Sequence, residues 1–262
     1  MSTSSLLTPL VDNANGPFHL IMCPFAGGSG SAFQTWRALT PSRQLPSLTL
    51  VTYPGRDRLR NRPPAQSIEV LADQLADTLS MLDPRMPVVM AGHSMGAQVA
   101  FETCARLHGS PHAPQALVIS GCHAPHEQGR RQLRSLNDSA FIEQLADIGG
   151  CSPALLEAPE LMALFMPLLR ADFHATETYH RTLPAHDAKL HLPALLLCGR
   201  QDREASAEEV AAWQAWLPQA DAPAIMEGDH FYPLQHPSAF LHRIVHHFHL
   251  HAEQGRHHHE HP

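Results

Sequence analysis

Short apolar runs recur along most of the chain and predict a set of buried strands. The first four are FHLIMCPF at 18–25, SLTLVTYP at 47–54, VVMAGH at 88–93 and QALVIS at 115–120. Two later runs have the same character, LPALLLCG at 192–199 and APAIME at 222–227. Apolar runs of this length, with turn signals such as AGGSG or Pro54-Gly55 after them, are typical of strands that are buried on both faces.

Segments with helical periodicity separate these strands. Between residues 67 and 82, apolar side chains recur at helical spacing, and Ser67 precedes them as a candidate N-cap. Further helices are predicted at 97–107, 208–217 and 238–250. Because alternating strands and helices cover both faces of a parallel sheet, the pattern predicts an α/β fold with a mostly parallel central sheet.

One region interrupts the alternation and predicts an insertion. Between residues 124 and 184 there is no strand signal, and two helical pieces, SAFIEQLADIG and PELMALFMPLLRADFHATETYH, take its place. We interpret residues 125–184 as a helical lid inserted into a core formed by 1–124 and 185–250. The alternative is that these helices only cover one edge of the sheet. The His-rich end, residues 251–262, is predicted to be a disordered tail without a function.

Composition narrows the function. The 262 residues carry a formal net charge of −7, which argues against nucleic acid or an anionic membrane as a partner. Five cysteines form no CxxC pair, so we expect reduced thiols. The N-terminus lacks the features of a signal peptide, and the apolar runs are too short to span a membrane. We therefore expect a cytoplasmic protein with no metal site.

The motif Gly92-His93-Ser94-Met95-Gly96 fits G-x-S-x-G, with an apolar strand before it and a helix after it. This context predicts a nucleophile elbow that exposes the Ser94 hydroxyl at the carboxyl edge of the sheet, beside the positive end of a helix dipole. The alternative is a tight turn that serves packing only.

A serine nucleophile needs a histidine base and an acid that orients the histidine. In α/β-hydrolases the acid follows the serine along the chain, and the histidine follows the acid. His230, in EGDHFYP before the last helix, is the candidate base, and Asp202, after the strand 192–199, is the candidate acid. Glu204 and Asp229 are the rivals for the acid. His93 is expected to support the site by packing.

Acyl transfer also needs an oxyanion hole. We predict the backbone amide of Met95 as one donor and that of Ala26, in the loop PFAGGSG at 24–30, as the other, with Phe25 as the alternative. The glycines allow close approach of the backbone. The loop also resembles a phosphate-binding loop, but it lacks the lysine of a P-loop.

The chain resembles the type II thioesterases that accompany nonribosomal peptide and polyketide synthases. Over about Phe18 to Ile244, the resemblance rests on motifs that occur in this order: PFAGGSG, Trp36, YPGRD, AGHSMGAQVAFE, PLLRADFHATETY, GRQDREAS and EGDHFYP. It implies an α/β-hydrolase fold and a stand-alone, cofactor-free hydrolase. Such an enzyme cleaves acyl groups from the phosphopantetheine arm of a partner carrier protein.

The resemblance also assigns residues. The triad positions fall on Ser94, Asp202 and His230, and the oxyanion positions fall on Ala26 and Met95. Phe25 stands where a histidine is frequent in the family, which could change the wall of the acyl pocket. The residues of the family-like insert motif are expected to form a structural hydrogen-bond network; they are Arg170, Asp172, Glu177 and Tyr179.

Three further expectations concern the insert, two arginines and the assembly. The apolar residues of the insert would line a short acyl chamber or pack on the sheet; they are Leu161, Met162, Leu164, Phe165, Met166, Leu168 and Leu169. Arg56 and Arg58 are expected to be solvated loop charges, with contact to an acidic carrier protein as the alternative. We expect a monomer.

The rival functions are a carboxylesterase or lipase on the same fold, and a binding protein that retains this fold without turnover.

Overall fold

The structure, a computed structural model, describes residues 6–185 and 188–257. Its described part contains one sheet of seven strands. In chain order these are β1 Leu7–Val11, β2 His19–Cys23, β3 Ser47–Val51, β4 Val88–His93, β5 Ala116–Ser120, β6 Ala194–Gly199 and β7 Ala224–Met226. The strands lie in the order β1-β3-β2-β4-β5-β6-β7, and all pairs except β1–β3 are parallel. The predicted α/β class is therefore confirmed.

The antiparallel edge strand β1 is an element that the sequence pattern did not predict. It pairs with β3, and the register shifts between Pro9 and Val11. Proline cannot donate to a ladder, so within sheets it is confined to edges and bulges. The proline and the half-buried side chains of β1 weaken its strand signal, and its pairing depends on β3, about 40 residues later in the chain.

Nine α-helices surround the sheet in the described residues. They are α1 Gln34–Arg37, α2 Ile68–Leu79, α3 Met95–Leu107, α4 Asp138–Ile148, α5 Pro153–Leu156, α6 Pro159–Thr178, α7 Ala207–Ala211, α8 Tyr232–Gln235 and α9 Pro237–His257. The Ser67 hydroxyl accepts a hydrogen bond from the Val70 amide, as a helix N-cap does. The helix predicted at 208–217 is shorter than expected, because α7 gives way to a 3-10 turn at Ala212–Ala215.

The core lies in two layers, one on each face of the sheet. Alternate residues of β2 point to opposite layers: Ile21 belongs to the layer that contains Phe101 of α3. Leu20 belongs to the layer that contains Trp36 and Phe240. Strands with apolar side chains on both faces read as continuous apolar runs, which is why the sequence revealed them.

Helices α4, α5 and α6 lie between β5 and β6, in the segment that lacks a strand signal. They share a cluster of their own, in which Phe141 and Leu145 of α4 pack with Met162 and Leu169 of α6. Described residues between β5 and β6 form no strand. The division of the chain into a core and a lid remains a prediction.

The end of the chain differs from expectation. Disorder was predicted from residue 251, but α9 continues to His257. Once a helix is established, each further residue adds a hydrogen bond, and this stretch contains good helix formers such as Ala252 and Glu253. The remaining residues of the predicted tail, 258–262, lie outside the described part.

Candidate active site

Ser94 occupies a sharp turn between β4 and α3. Its backbone has φ 54° and ψ −124°, a conformation that non-glycine residues rarely adopt. The two flanking glycines permit this turn by close approach. A Cβ on Gly92 would lie 2.1 Å from the Gly96 carbonyl oxygen, and a Cβ on Gly96 would lie 2.0 Å from that of Cys23. The motif therefore forms a strained elbow that presents Ser94.

Two of the predicted oxyanion residues lie next to this turn. Met95 is the first residue of α3, so its amide is among those that have no acceptor within the helix. Ala26 lines the same cavity as Ser94 and His230. Both assignments remain predictions, but the structure brings these residues to one end of the sheet.

His230 and Asp202 are in direct contact. The His230 Nδ1 atom lies 3.0 Å from each carboxylate oxygen of Asp202. His230 is in the loop between β7 and α8, and Asp202 follows β6, so both come from the carboxyl end of the sheet. This contact leaves Nε2 as the ring nitrogen that is available for a serine hydroxyl.

The two rival acids have other partners. Glu204 forms an ion pair with Arg131, at 2.8 Å. Asp229 accepts hydrogen bonds from the Phe231 amide and from Gln235, each at 2.8 Å. Among the three candidate acids, the geometry thus favours Asp202.

Burial and hydrogen bonding oppose each other at Asp202. Burial alone would raise its pKa, but the hydrogen bond and the charge of His230, together with the Glu204 amide, hold the pKa below its usual value. The carboxylate also accepts a hydrogen bond from the Ala205 amide, at 3.1 Å. Asp202 therefore stays ionised at neutral pH and can stabilise an imidazolium.

His93, inside the motif, does not line the cavity beside Ser94. It is buried, and its Nδ1 atom lies 2.9 Å from the Ser120 hydroxyl. Ser120 in turn is hydrogen-bonded to the Tyr232 hydroxyl, at 2.5 Å. Burial first, and repulsion by His230 second, lower the pKa of His93 to about 3. It is thus a neutral packing residue at pH 7.

The cavity beside Ser94 is lined differently from the sequence expectation. The insert contributes residues from α4 and the C-terminal half of α6, and the core contributes aromatic side chains. Its apolar lining includes Phe25, Leu145, Ile148, Phe173 and Phe231, and its polar lining includes His123, Glu127, Arg130, Thr176 and His180.

The seven apolar insert residues, which were expected either to line the chamber or to pack on the sheet, do not line this cavity. Leu161, Leu164 and Phe165 are exposed, whereas Met162 and Leu169 are packed within the insert itself. The sequence predicted a helical insert rich in apolar residues, but it did not show which face of α6 meets the cavity.

The expectation that Arg56 is a solvated loop charge is wrong. Arg56 is neither a solvated loop charge nor available to a partner, because it is only 3% exposed and forms a buried ion pair with Asp172. A Tyr-Pro-Gly-Arg turn gives no sequence sign that its arginine points inward. Arg58 is more exposed, and it donates to the Leu7 carbonyl, at 2.9 Å.

The insert motif residues form four separate contacts and not one network. Arg170 binds Asp138 and the Leu136 carbonyl, and Asp172 binds Arg56. Glu177 accepts the amides of Leu133 and Arg134, and Tyr179 donates to Glu102. Each contact joins α6, or the residue that follows it, to a different neighbour.

In 6–185 and 188–257, no group of three His, Cys, Asp or Glu side chains is arranged to hold a metal ion. Within the same ranges, every helix is too short or too polar to cross a bilayer.

Comparison with known proteins decides the family. The model of the family described as "Thioesterase domain" matches residues 18–249. The chain belongs to the thioesterase family. It is 41% identical to the probable anguibactin biosynthesis thioesterase AngT of Vibrio anguillarum. That alignment of 225 residues covers 85% of this chain and 88% of AngT. Thioesterase PikA5 of Streptomyces venezuelae is 36% identical over 222 residues, covering 83% of this chain and 76% of that protein.

Solved structures agree with this assignment. The thioesterase superposes on YbtT, a type II thioesterase of the yersiniabactin pathway, with a TM-score of 0.87 and 53% identity, over 93% of this chain and 98% of YbtT. The type II thioesterase BorB gives a TM-score of 0.77 and 30% identity, over 92% of this chain and 97% of BorB. The predicted family and the α/β-hydrolase fold are therefore confirmed, and the protein is a thioester hydrolase.

Proposed function

We propose that this thioesterase hydrolyses acyl groups from the phosphopantetheine arm of carrier proteins that serve a nonribosomal peptide or polyketide synthase. The observation that carries the proposal is that Ser94, on a strained elbow, and His230, which is held by Asp202, line the same cavity. The names of the relatives supply the pathway class, since YbtT is described as a type II thioesterase from an NRPS/PKS pathway.

The proposed reaction has two stages. The Ser94 hydroxyl attacks the thioester carbonyl while His230 accepts its proton. The carbon–sulfur bond then breaks, and the thiolate leaves with that proton. In the second stage His230 removes a proton from water, which attacks the acyl-serine; the bond to the Ser94 oxygen breaks, and His230 returns the proton to it. Asp202 stabilises the imidazolium in both stages.

The tetrahedral intermediate places a negative charge on the former carbonyl oxygen. In this proposal the amides of Met95 and Ala26 donate hydrogen bonds to that oxygen, and the N-terminus of α3 adds the positive end of its dipole. The proposed reaction uses groups of a single chain and water only, so the enzyme would act as a monomer without a cofactor.

The size of the cavity favours a small acyl group. Its volume is about 120 Å³. Pockets for drug-sized ligands measure roughly 300–1,000 Å³, so a short acyl group would fit inside, whereas a long acyl chain would extend through the open side of the cavity. Phe25 adds an apolar ring to the wall.

The test compares matched substrates. We expect kcat/KM for a short acyl group on a phosphopantetheinylated carrier protein to exceed that for the corresponding oxygen ester by at least about tenfold, because a thiolate leaves more readily than an alkoxide and the carrier adds contacts. Preference for the oxygen ester would instead indicate a carboxylesterase.

Two further measurements complete this test. A fluorophosphonate probe should label the wild type and the control variant Ser139→Ala, which changes an exposed serine of α4. The Ser94→Ala variant should stay unlabelled and inactive. Absence of labelling in the folded wild type would support a non-catalytic binding protein and overturn the proposal.

A further inference from the structure

The loop that carries Ala26, residues 24–30, is attached at several backbone atoms to the YPGRD segment. The Tyr53 hydroxyl donates to the Pro24 carbonyl, at 3.2 Å, in the buried interior. The Asp57 carboxylate accepts the Gly30 amide, at 2.9 Å. Asp57 itself has φ 48°, so its backbone is held in a conformation that favours glycine. Both ends of the loop are thus anchored by this segment.

A buried ion pair holds the middle of the same loop. Arg56 donates to both carboxylate oxygens of Asp172, at 2.8 and 2.7 Å, and also to the Gly28 carbonyl, at 3.1 Å. The Asp172 carboxylate accepts the Gly27 amide, at 2.7 Å. Since Gly27 follows Ala26 directly, one carboxylate on α6 orients the peptide next to the proposed oxyanion donor.

Packing provides a second, independent link between this loop and α6. Gly27 has φ 76°, and a Cβ at this position would lie 2.7 Å from Cδ2 of Leu169. The loop backbone therefore rests directly on α6, three residues before Asp172. Position and orientation of the loop both depend on the helix of the insert.

The ion pair is not explained by stability alone. Arg56 and Asp172 are 3% and 1% exposed, and removing two such charges from water costs several kcal/mol, which their attraction often fails to recover. Hydrophobic residues of similar volume commonly stabilise a protein as well or better. Unlike them, the pair can hold the polar backbone groups of Gly27 and Gly28 in one geometry.

We propose that Arg56 and Asp172 are positioning residues that set the oxyanion hole and link its geometry to the insert helix α6. This inference rests on the proposed function, because it takes Ala26 as an oxyanion donor. An oxyanion hole stabilises charge that appears only in the transition state, so its misalignment lowers kcat more than it raises KM. Loss of one oxyanion donor lowers kcat by roughly 10²–10³. Displacing a donor should therefore lower kcat by no more than this.

The experiment uses the full-length enzyme and a small acyl thioester of N-acetylcysteamine. Asp172→Asn keeps an oxygen for the Gly27 amide but removes the charge, Asp172→Ala removes both, and Arg56→Lys removes the bidentate contact. We expect kcat per active site to fall about tenfold in Asp172→Asn and by up to about 10³ in Asp172→Ala, with KM changed less than about threefold. Active sites are counted by complete fluorophosphonate labelling, so that unfolded protein does not lower the value.

Arg170→Lys is the matched control. Arg170 lies two residues from Asp172 on α6, but its ion pair with Asp138 is at the exposed edge of the insert. We expect this variant to retain kcat. A boronic acid that mimics the tetrahedral intermediate provides the second readout: its affinity should fall in the Asp172 variants in proportion to kcat.

The outcomes separate this inference from the proposed function. If kcat per active site and boronic acid affinity stay within about twofold of wild type in Asp172→Asn and Arg56→Lys, the positioning role is wrong, even where thermal stability falls. If Ser94→Ala keeps turnover, the proposed nucleophile is wrong. If Asp172→Ala does not fold, the two conservative variants still decide the question.

Discussion

The rings of His93 and His230 lie against each other, with centroids 4.7 Å apart. His230 is the proposed base and becomes positively charged during the reaction, whereas burial and that same neighbour lower the pKa of His93 to about 3. A neutral His93 can support the His230 ring without adding a second positive charge. His93 is in turn fixed by Ser120, at 2.9 Å.

The His93 pKa predicts a loss of stability in acid. The folded value, about 3, is below the ordinary value of 6.5, so the unfolded chain binds the extra proton. The free energy of unfolding should therefore fall as pH decreases from about 6.5 towards 3, with His93 contributing up to about 1.4 kcal/mol per pH unit. His93→Gln should reduce this slope in urea denaturation between pH 7 and pH 5.

The control for this prediction is His108→Gln, because His108 is exposed at the end of α3. It should leave the slope unchanged. An identical pH dependence in the wild type and His93→Gln would show that His93 is not the group responsible.

The contact between Asp202 and His230 predicts which acid supports catalysis. Asp202→Asn should lower kcat by about 10⁴, as expected when an orienting carboxylate becomes an amide and the imidazole adopts the wrong tautomer. Glu204→Gln, which changes the rival acid paired with Arg131, should change kcat by less than about tenfold. Steady-state kinetics on a small thioester distinguishes them, and a larger loss in the Glu204 variant would contradict the assignment.

Gly27→Ala tests how closely the loop packs on α6. At Gly27 the added methyl would collide with Leu169, and the backbone φ of 76° disfavours any residue with a Cβ. Gly109 has the same φ, but no atom lies within 4 Å of its hypothetical Cβ. Gly109→Ala should cost about 1 kcal/mol of unfolding free energy for the backbone alone. Gly27→Ala should cost about 1–3 kcal/mol more, because overpacking adds to it. Equal losses in thermal denaturation would show that the loop moves away from α6 at little cost.

Tyr179 and Glu102 join the end of α6 to α3. The Tyr179 hydroxyl donates to the buried Glu102 carboxylate, at 2.7 Å, and Arg181 donates to the same oxygen, at 2.5 Å. Tyr179→Phe should lower the unfolding free energy by about 1.5–3 kcal/mol, since the acceptor is charged. In a Glu102→Gln background the same change should cost less. Equal costs in the two backgrounds would mean that the two groups do not interact energetically.

Much of the site was predictable because it follows from local sequence. The G-x-S-x-G turn needs its glycines next to Ser94, so the motif and its strand and helix are visible within about ten residues. The order of the later strands located Asp202 and His230 at the same edge of the sheet, and the contact between them agrees with that placement.

Other features were not predictable because they depend on residues far apart in the chain. The edge strand β1 forms only because β3 offers it a partner. The ion pair of Arg56 with Asp172 joins residues 116 positions apart, and nothing in YPGR shows that the guanidinium is buried. The sequence showed that the insert helix is rich in apolar residues, but it did not show that Leu164 and Phe165 are exposed.

The sequence by itself determined the fold class, the family resemblance and the position of the strained serine, because apolar periodicity and tight turns depend on neighbouring residues. Only the tertiary structure decided which acid contacts His230, which side chains surround the cavity and how the loop of Ala26 is held. Those relationships depend on how separate segments pack and on which buried charges must find a partner, and the energy of such contacts does not appear in any local pattern.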